Sequence, residues 1–337
     1  MELAGHKCVG FCEFDKWAVA SYTSMHLITD EQRKYLATLD LKHRQKEILK
    51  EEYRNGEWYA NDIRYIDAEK LPEAECWAFG FPCQDISVAG FQKGFRGNRS
   101  SLFFRVTYLL RQLKEEKRPD TLFIENVKNL LSVNGGWDFA KLLIELDEIG
   151  YDTEWKVFDS ETFGVPQHRE RCFIIGHLRE RERYRRGILF EGINTPEIAR
   201  SECESLQKRE GIICGYGHEP KLTNKSTTIG AYQGKGTSNQ QMTFVCVPCI
   251  TPNRVNKRQN GRRFKENGDA MFTLTAQDRH GVAVDSYGNH PSAWWDKYKT
   301  FVSIRRLTPR ECFRLQGWPD DYFEKACFVN SDAQLYK

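Results

Sequence analysis

Residues 1 to 178 alternate short apolar strands with amphipathic helices, and this alternation restricts the fold more than any other feature of the chain. KCVGFCE reads as a strand and FDKWAVASYTSMH as the helix after it. ECWAFG is a strand; the helix SSLFFRVTYLLRQLKEEK follows, with Phe103, Val106, Leu110 and Leu113 on one face. TLFIENV is a strand, WDFAKLLIELDEIG a helix and CFIIGHL another strand. Strands joined through helices predict a doubly wound α/β domain, its mostly parallel sheet covered on both faces. Residues 30 to 58 interrupt the pattern with a charged helical insert, which predicts a solvated face.

After about residue 179 the texture changes. RERERYRR precedes a long stretch rich in Gly, Asn, Gln and Thr, and regular apolar content returns only at FVSIRRLTPRECFRLQGW. The expectation is a catalytic domain over 1–178 and a smaller, irregular, strand-rich domain over 179–337. At 337 residues, 40% hydrophobic and 13% aromatic, the chain fills a sizeable core, which excludes global disorder. No apolar run approaches the ~18 residues of a membrane span. The 11 cysteines are scattered, several in apolar runs (Cys8, Cys76, Cys172), which fits a reducing, cytoplasmic setting better than a disulfide scaffold. CVPC (246–249) has zinc-like spacing without a second pair at matching distance, so it reads as strand cysteines and no metal is expected.

Three segments carry the chemistry. GFPCQ places Cys83 just past a strand, where open α/β sheets bind their ligands. A thiol there can be a nucleophile, a metal ligand or a space-filler. FIENV brings Glu125 to the end of the next strand, and VPQHRERCFIIG brings Arg169 and Arg171 to a later one. A thiolate adds to an electron-poor carbon only where the developing charge is neutralised elsewhere. Cytosine is such a substrate: attack at carbon 6 pushes charge onto nitrogen 3 and carbon 5. A carboxyl at nitrogen 3 shares that charge through a proton, and arginine holds the exocyclic oxygen and lowers a nearby thiol's pKa.

GFPCQ, ENV and QHRER, in this order, resemble motifs of the DNA (cytosine-5)-methyltransferase family, of the bacterial or phage restriction-modification type. IRRLTPRECFRLQGWPD (304–320) extends the resemblance to the segment after that family's target-recognition region. The resemblance implies an S-adenosylmethionine-dependent methyltransferase fold and methyl transfer to carbon 5 of cytosine in duplex DNA. It implies that Cys83 bonds to carbon 6, that Glu125 meets nitrogen 3 and that Asn126 braces the loop. Arg169 and Arg171 then position the base and the thiol loop. For the cofactor it implies Glu13 at the ribose hydroxyls, with Phe14, Asp62 and Ile63 about the adenine. Pro82 and Leu102 line the methionine side.

The family's opening glycine-rich turn and its final motif find no counterpart in the chain. Either the sequence is a fragment of a longer reading frame, the favoured expectation, or a second polypeptide supplies those parts; a monomer is otherwise expected. For DNA, RVNKRQNGRRFK (254–265) holds six basic residues and no acid, which suits phosphate contacts from Arg254, Lys257, Arg258, Arg262 and Arg263. FTLTAQDRHGV resembles the family's recognition core, with Thr273 and Leu274 near the DNA backbone and the flipped nucleotide. A stacked cytosine is out of reach of a thiol, so the base must be extruded. The loop 84–99, with Gln84 and Ser87, is expected to close over it. Two rival expectations are a truncated DNA-binding protein that cannot methylate, and an unrelated thiol enzyme pairing Cys83 with His168.

Overall fold

The computed structural model describes residues 5–82, 102–179, 246–252, 262–267, 269–275, 279–285, 293–295 and 300–336. By its internal contacts the chain divides into two units. One comprises Met1–Phe158, Glu170–Thr195 and Phe328–Asn330, the other Asp159–Arg169, Pro196–Cys327 and Ser331–Lys337.

In the first unit β1 (Gly10–Cys12) and β2 (Trp58–Ala60) form a short parallel pair, with α1 (Lys16–Tyr22) following β1. A second sheet holds β3 (Cys76–Gly80), β4 (Thr121–Val127), β5 (Tyr151–Asp159) and β6 (Glu170–Leu178), in the order β3-β4-β6-β5. The charged insert is not merely a solvated face. It forms α2 (Asp30–Ala37) and α3 (Leu41–Glu47), and buries Leu36, Ile48 and Tyr53 with Ala20 and Val329. Thr29 and Gln32 close a reciprocal capping box at the start of α2.

Two helices cover one face of the larger sheet. In α4 (Leu102–Gln112) the residues at helical spacing, Phe103, Val106 and Leu110, are buried as their periodicity predicts. In α5 (Trp137–Ile149) Phe139, Leu142, Leu146 and Ile149 form the matching stripe. Both stripes meet Leu122 and Ile124 of β4 and Cys172 and Ile174 of β6 in one core. Burying each such side chain contributes roughly 1.5–3 kcal/mol before conformational entropy is subtracted. Gly150 ends α5 at φ +102°, a left-handed conformation that suits glycine.

The sheet is mixed. β3 and β4 are parallel, Gly80 lying opposite Glu125, whereas β6 runs antiparallel to β4 with Phe173 opposite Glu125 and Arg171 opposite Val127. This alters the reason the chemistry-bearing segments meet. A strand entering a wholly parallel sheet would begin at the edge opposite the end of β4. Because β6 is reversed, its start lies beside that end, and Arg171 reaches the edge where ENV finishes.

The second unit is built on an antiparallel sheet of β7 (Cys246–Ile250), β8 (His280–Asp285), β9 (Ala293–Trp295) and β10 (Thr300–Arg306), ordered β7-β8-β10-β9. CVPC is therefore part of a strand, with Cys249 buried. After β10 come α6 (Pro309–Leu315), α7 (Asp320–Cys327) and α8 (Asp332–Leu335). Thr308 caps α6 through a reciprocal box with Glu311, and Pro309 occupies its first turn. Met271, Val282, Leu307 and Leu315 form the local core. Among the described residues no helix is long and apolar enough to cross a membrane.

Candidate active site

The end of β4 presents Glu125 and Asn126 on opposite faces, as strand alternation requires. Asn126 turns inward and is 3% exposed. Its amide donates to the Phe81 carbonyl at 2.8 Å, and its side-chain oxygen accepts the Val127 N–H at 2.9 Å. The backbone two residues before Cys83 is thus tied to β4. Glu125 turns outward with a side chain 38% exposed, and its Oε1 lies 2.8 Å from Arg171 Nε. Arg171 is only 16% exposed, and its Nη1 also donates to the Glu170 carbonyl at 2.8 Å. A Cβ at position 80 would stand 3.2 Å from the Glu125 carbonyl and 3.4 Å from its Oε2, so glycine leaves room beside the carboxylate. Chemically, an accessible carboxylate held by a guanidinium can exchange a proton with a ring nitrogen while its position stays fixed.

Arg169 belongs to the second unit. Cys83, Gln84 and Ser87 lie outside the described residues, as do Arg254, Lys257 and Arg258. All seven cysteine thiols described have raised pKa values, in each case chiefly through burial. Cys12, Cys172 and Cys312 are pushed up to about 11 and Cys249 to about 12. None of these seven is disposed to act as a thiolate at neutral pH.

Of the three residues expected about the adenine, Phe14 and Asp62 line a common cavity and Ile63 does not. Phe14, 68% exposed, and Asp62 line one cavity of about 630 Å³ together with Trp58, Tyr59, Arg64 and Tyr65. That volume and its aromatic lining suit a nucleoside-sized ligand. Glu13 follows β1, and its carboxylate accepts the Asp15 N–H at 2.7 Å. Ile63 packs into the neighbouring apolar clusters, Pro82 is exposed and Leu102 leans on the main core. Sequence reasoning missed Arg64, whose guanidinium meets Asp62 at 2.5 Å and holds that carboxyl below the usual range.

In the second unit Thr273 donates its hydroxyl to the His168 carbonyl at 2.6 Å, and Leu274 packs beside Met271 and Val282. Arg262 pairs with Glu266 at 2.9 Å, and Arg263 Nη1 donates to Thr251 Oγ1 at 3.0 Å. His168 Nδ1 sits 2.5 Å from Asp159.

The first unit combines an α/β core, one strand of which ends on a paired carboxylate, with a cavity of nucleoside size, a combination that fits a group-transfer enzyme, and comparison with known proteins specifies which. Residues 32–337 match the model of the C-5 cytosine-specific DNA methylase family. The orphan methyltransferase M.SPRI of Bacillus phage SPR is 30% identical, covering 99% of this chain and 88% of the relative. The type II methyltransferase M2.ScrFI of Lactococcus lactis subsp. cremoris is 29% identical, covering 98% and 87%. A solved structure, S. pombe Dnmt2, is similar at 15% identity and a TM-score of 0.48 over 99% of this chain and 90% of that one. The chain belongs to the C-5 cytosine-specific DNA methylase family. It is a DNA (cytosine-5)-methyltransferase. The alignment with the phage SPR enzyme spans 432 positions, so that relative carries residues with no counterpart among the 337 here. These likenesses each follow one continuous relative and lend no support to a second polypeptide.

Proposed function

We propose that the chain transfers a methyl group from S-adenosylmethionine to carbon 5 of a cytosine swung out of duplex DNA, through a covalent bond from Cys83 to carbon 6. The observation that carries this is the pairing of Glu125 with Arg171 at the end of β4, beside the Asn126 tie to the backbone leading into Cys83.

In this scheme the Cys83 thiolate adds to carbon 6, and the electron pair of the 5,6 double bond moves to carbon 5. Glu125, protonated against nitrogen 3, shares its proton there and stabilises the developing charge. Arg171 fixes the Glu125 carboxylate, and Arg169 helps to position the base. Once bound, S-adenosylmethionine supplies an electrophilic methyl group for carbon 5. Removal of the carbon 5 proton by a base then returns the electron pair to the ring and expels the Cys83 thiolate. Glu13, Phe14, Asp62, Ile63, Pro82 and Leu102 are the residues that would hold the cofactor, which the cavity between Phe14 and Asp62 is large enough to admit. Residues 1–178 act as the catalytic domain in a cytoplasmic enzyme. Residues 179–337 act as the recognition domain, with Arg254, Lys257, Arg258, Arg262 and Arg263 on phosphates and Gln84, Ser87, Thr273 and Leu274 near the extruded nucleotide.

A duplex carrying 5-fluorocytosine tests the scheme, because fluorine at carbon 5 cannot leave as a proton and the adduct is trapped. With S-adenosylmethionine present, the parent should give a denaturant-stable protein–DNA species that Cys83→Ala does not form. Absence of the species from the parent at every cofactor concentration would overturn the scheme in favour of a DNA-binding protein without transfer activity.

A further inference from the structure

The turn from β5 to β6 carries QHR, yet methyl transfer as described assigns no task to the two residues that open it. Asp159 ends β5. Its Oδ1 accepts the Glu161 N–H at 3.2 Å and the Arg169 N–H at 2.9 Å, while its Oδ2 lies 2.5 Å from His168 Nδ1. Ser160 donates its backbone N–H to the Arg169 carbonyl at 3.2 Å, and its hydroxyl to the Gln167 carbonyl at 2.6 Å. Both backbone polar groups of Arg169 are therefore held by the pair Asp159–Ser160, across ten residues of chain. From the other side the His168 N–H donates to the Met271 carbonyl at 3.3 Å, and the His168 carbonyl accepts from Thr273. His168 and Arg169 have no free backbone donor or acceptor with which to drift.

We propose that Asp159 is a positioning residue for methyl transfer: its carboxylate oxygen closes the 160–169 turn on the Arg169 N–H and so sets where the Arg169 side chain starts. The proposal rests on the role given to Arg169 above. What Asp159 supplies is an acceptor at one point in space, not a charge. Asparagine provides the same acceptor at the same distance, alanine provides none, and glutamate displaces it by one methylene. Burial pushes the Asp159 carboxyl up, but the Arg169 and Glu161 N–H donors and His168 outweigh it and hold the group below the usual carboxylate range, as expected of an oxygen aimed at several donors.

The test is single-turnover methyl transfer by the full chain with saturating cofactor and duplex, run beside the DNA dissociation constant for each variant. Asp159→Ala and Asp159→Glu should slow transfer roughly ten- to a hundredfold, the loss expected of a misplacement near 1 Å, with DNA affinity kept within about threefold. Asp159→Asn should stay within about threefold of the parent in rate. Because Asp159 acts through Arg169, adding Asp159→Ala to Arg169→Ala should slow transfer by less than about twofold further. If Asp159→Ala does not fold, the asparagine and glutamate variants decide by themselves. Asn as slow as Glu, or Glu as fast as the parent, would overturn the proposal. Additive losses in the double variant would overturn it while leaving Arg169 in the reaction. Parent-like transfer by Arg169→Ala alone would instead remove the role of Arg169, and with it the basis of the proposal.

Discussion

In the proposed scheme the chemistry depends on a single proton-bearing oxygen, that of Glu125. Its neighbour Arg171 is mostly buried and bound to it at 2.8 Å, so the carboxylate has a fixed direction while keeping a solvent-facing side. Glu125→Gln retains an oxygen that accepts from Arg171 and loses the proton that nitrogen 3 requires. The expected outcome is a loss of ~100-fold or more in single-turnover methyl transfer, with an unchanged melting temperature and little change in DNA affinity. Equal transfer rates for the two proteins would remove Glu125 from the reaction. Asn126 and Arg171 could be chosen from sequence because ENV and QHRER are compact motifs. Arg64 could not, because nothing in NDIRYI says that the arginine two places on turns back onto Asp62.

Elements were legible to the degree that burial imposed a period on them. The stripes of α4 and α5 follow helical spacing and are buried where that spacing puts them. β5, with the sequence YDTEWKVFD, escaped notice because charged residues interrupt its apolar positions. The direction of β6 also escaped, since a strand's residue pattern reads alike in both directions. In the second unit the pair α6–α7 offers a test of its electrostatics. Arg314 Nε and Arg310 Nη1 each reach Asp320 at 2.8 Å. The bonds from Arg314 and then Arg310 outweigh burial and lower the Asp320 carboxyl to about 2. A depressed carboxylate stabilises the fold above its unfolded value, about 3.9, and that stabilisation disappears as pH falls through the folded value. Asp320→Asn should therefore melt at a lower temperature than the parent at pH 5 to 7, and the gap should close as pH is lowered toward 2. A gap independent of pH would place the effect elsewhere.

At the scale of the whole molecule a net charge of +3 names no partner, whereas its distribution does. Six basic residues without an acid between 254 and 265 predict counterion release on DNA. Replacing Arg254, Lys257 and Arg258 with alanine should reduce the slope of log affinity against log salt by about 0.9 for each phosphate that the variant no longer neutralises. An unaltered slope would take these side chains off the DNA. Arg262 and Arg263, bound to Glu266 and Thr251, should contribute less to that slope. The reversed strand β6 has a consequence for how such an enzyme tolerates change. The Glu125–Arg171 pair is stored as an alignment between neighbouring strands, so residues added to the loops between β4 and β5 only lengthen a tether. One residue added to β6 after Cys172, with the pairing beyond it kept, would set Cys172 in the place of Arg171 and take the guanidinium away from Glu125, an error that changes in the loops would not correct.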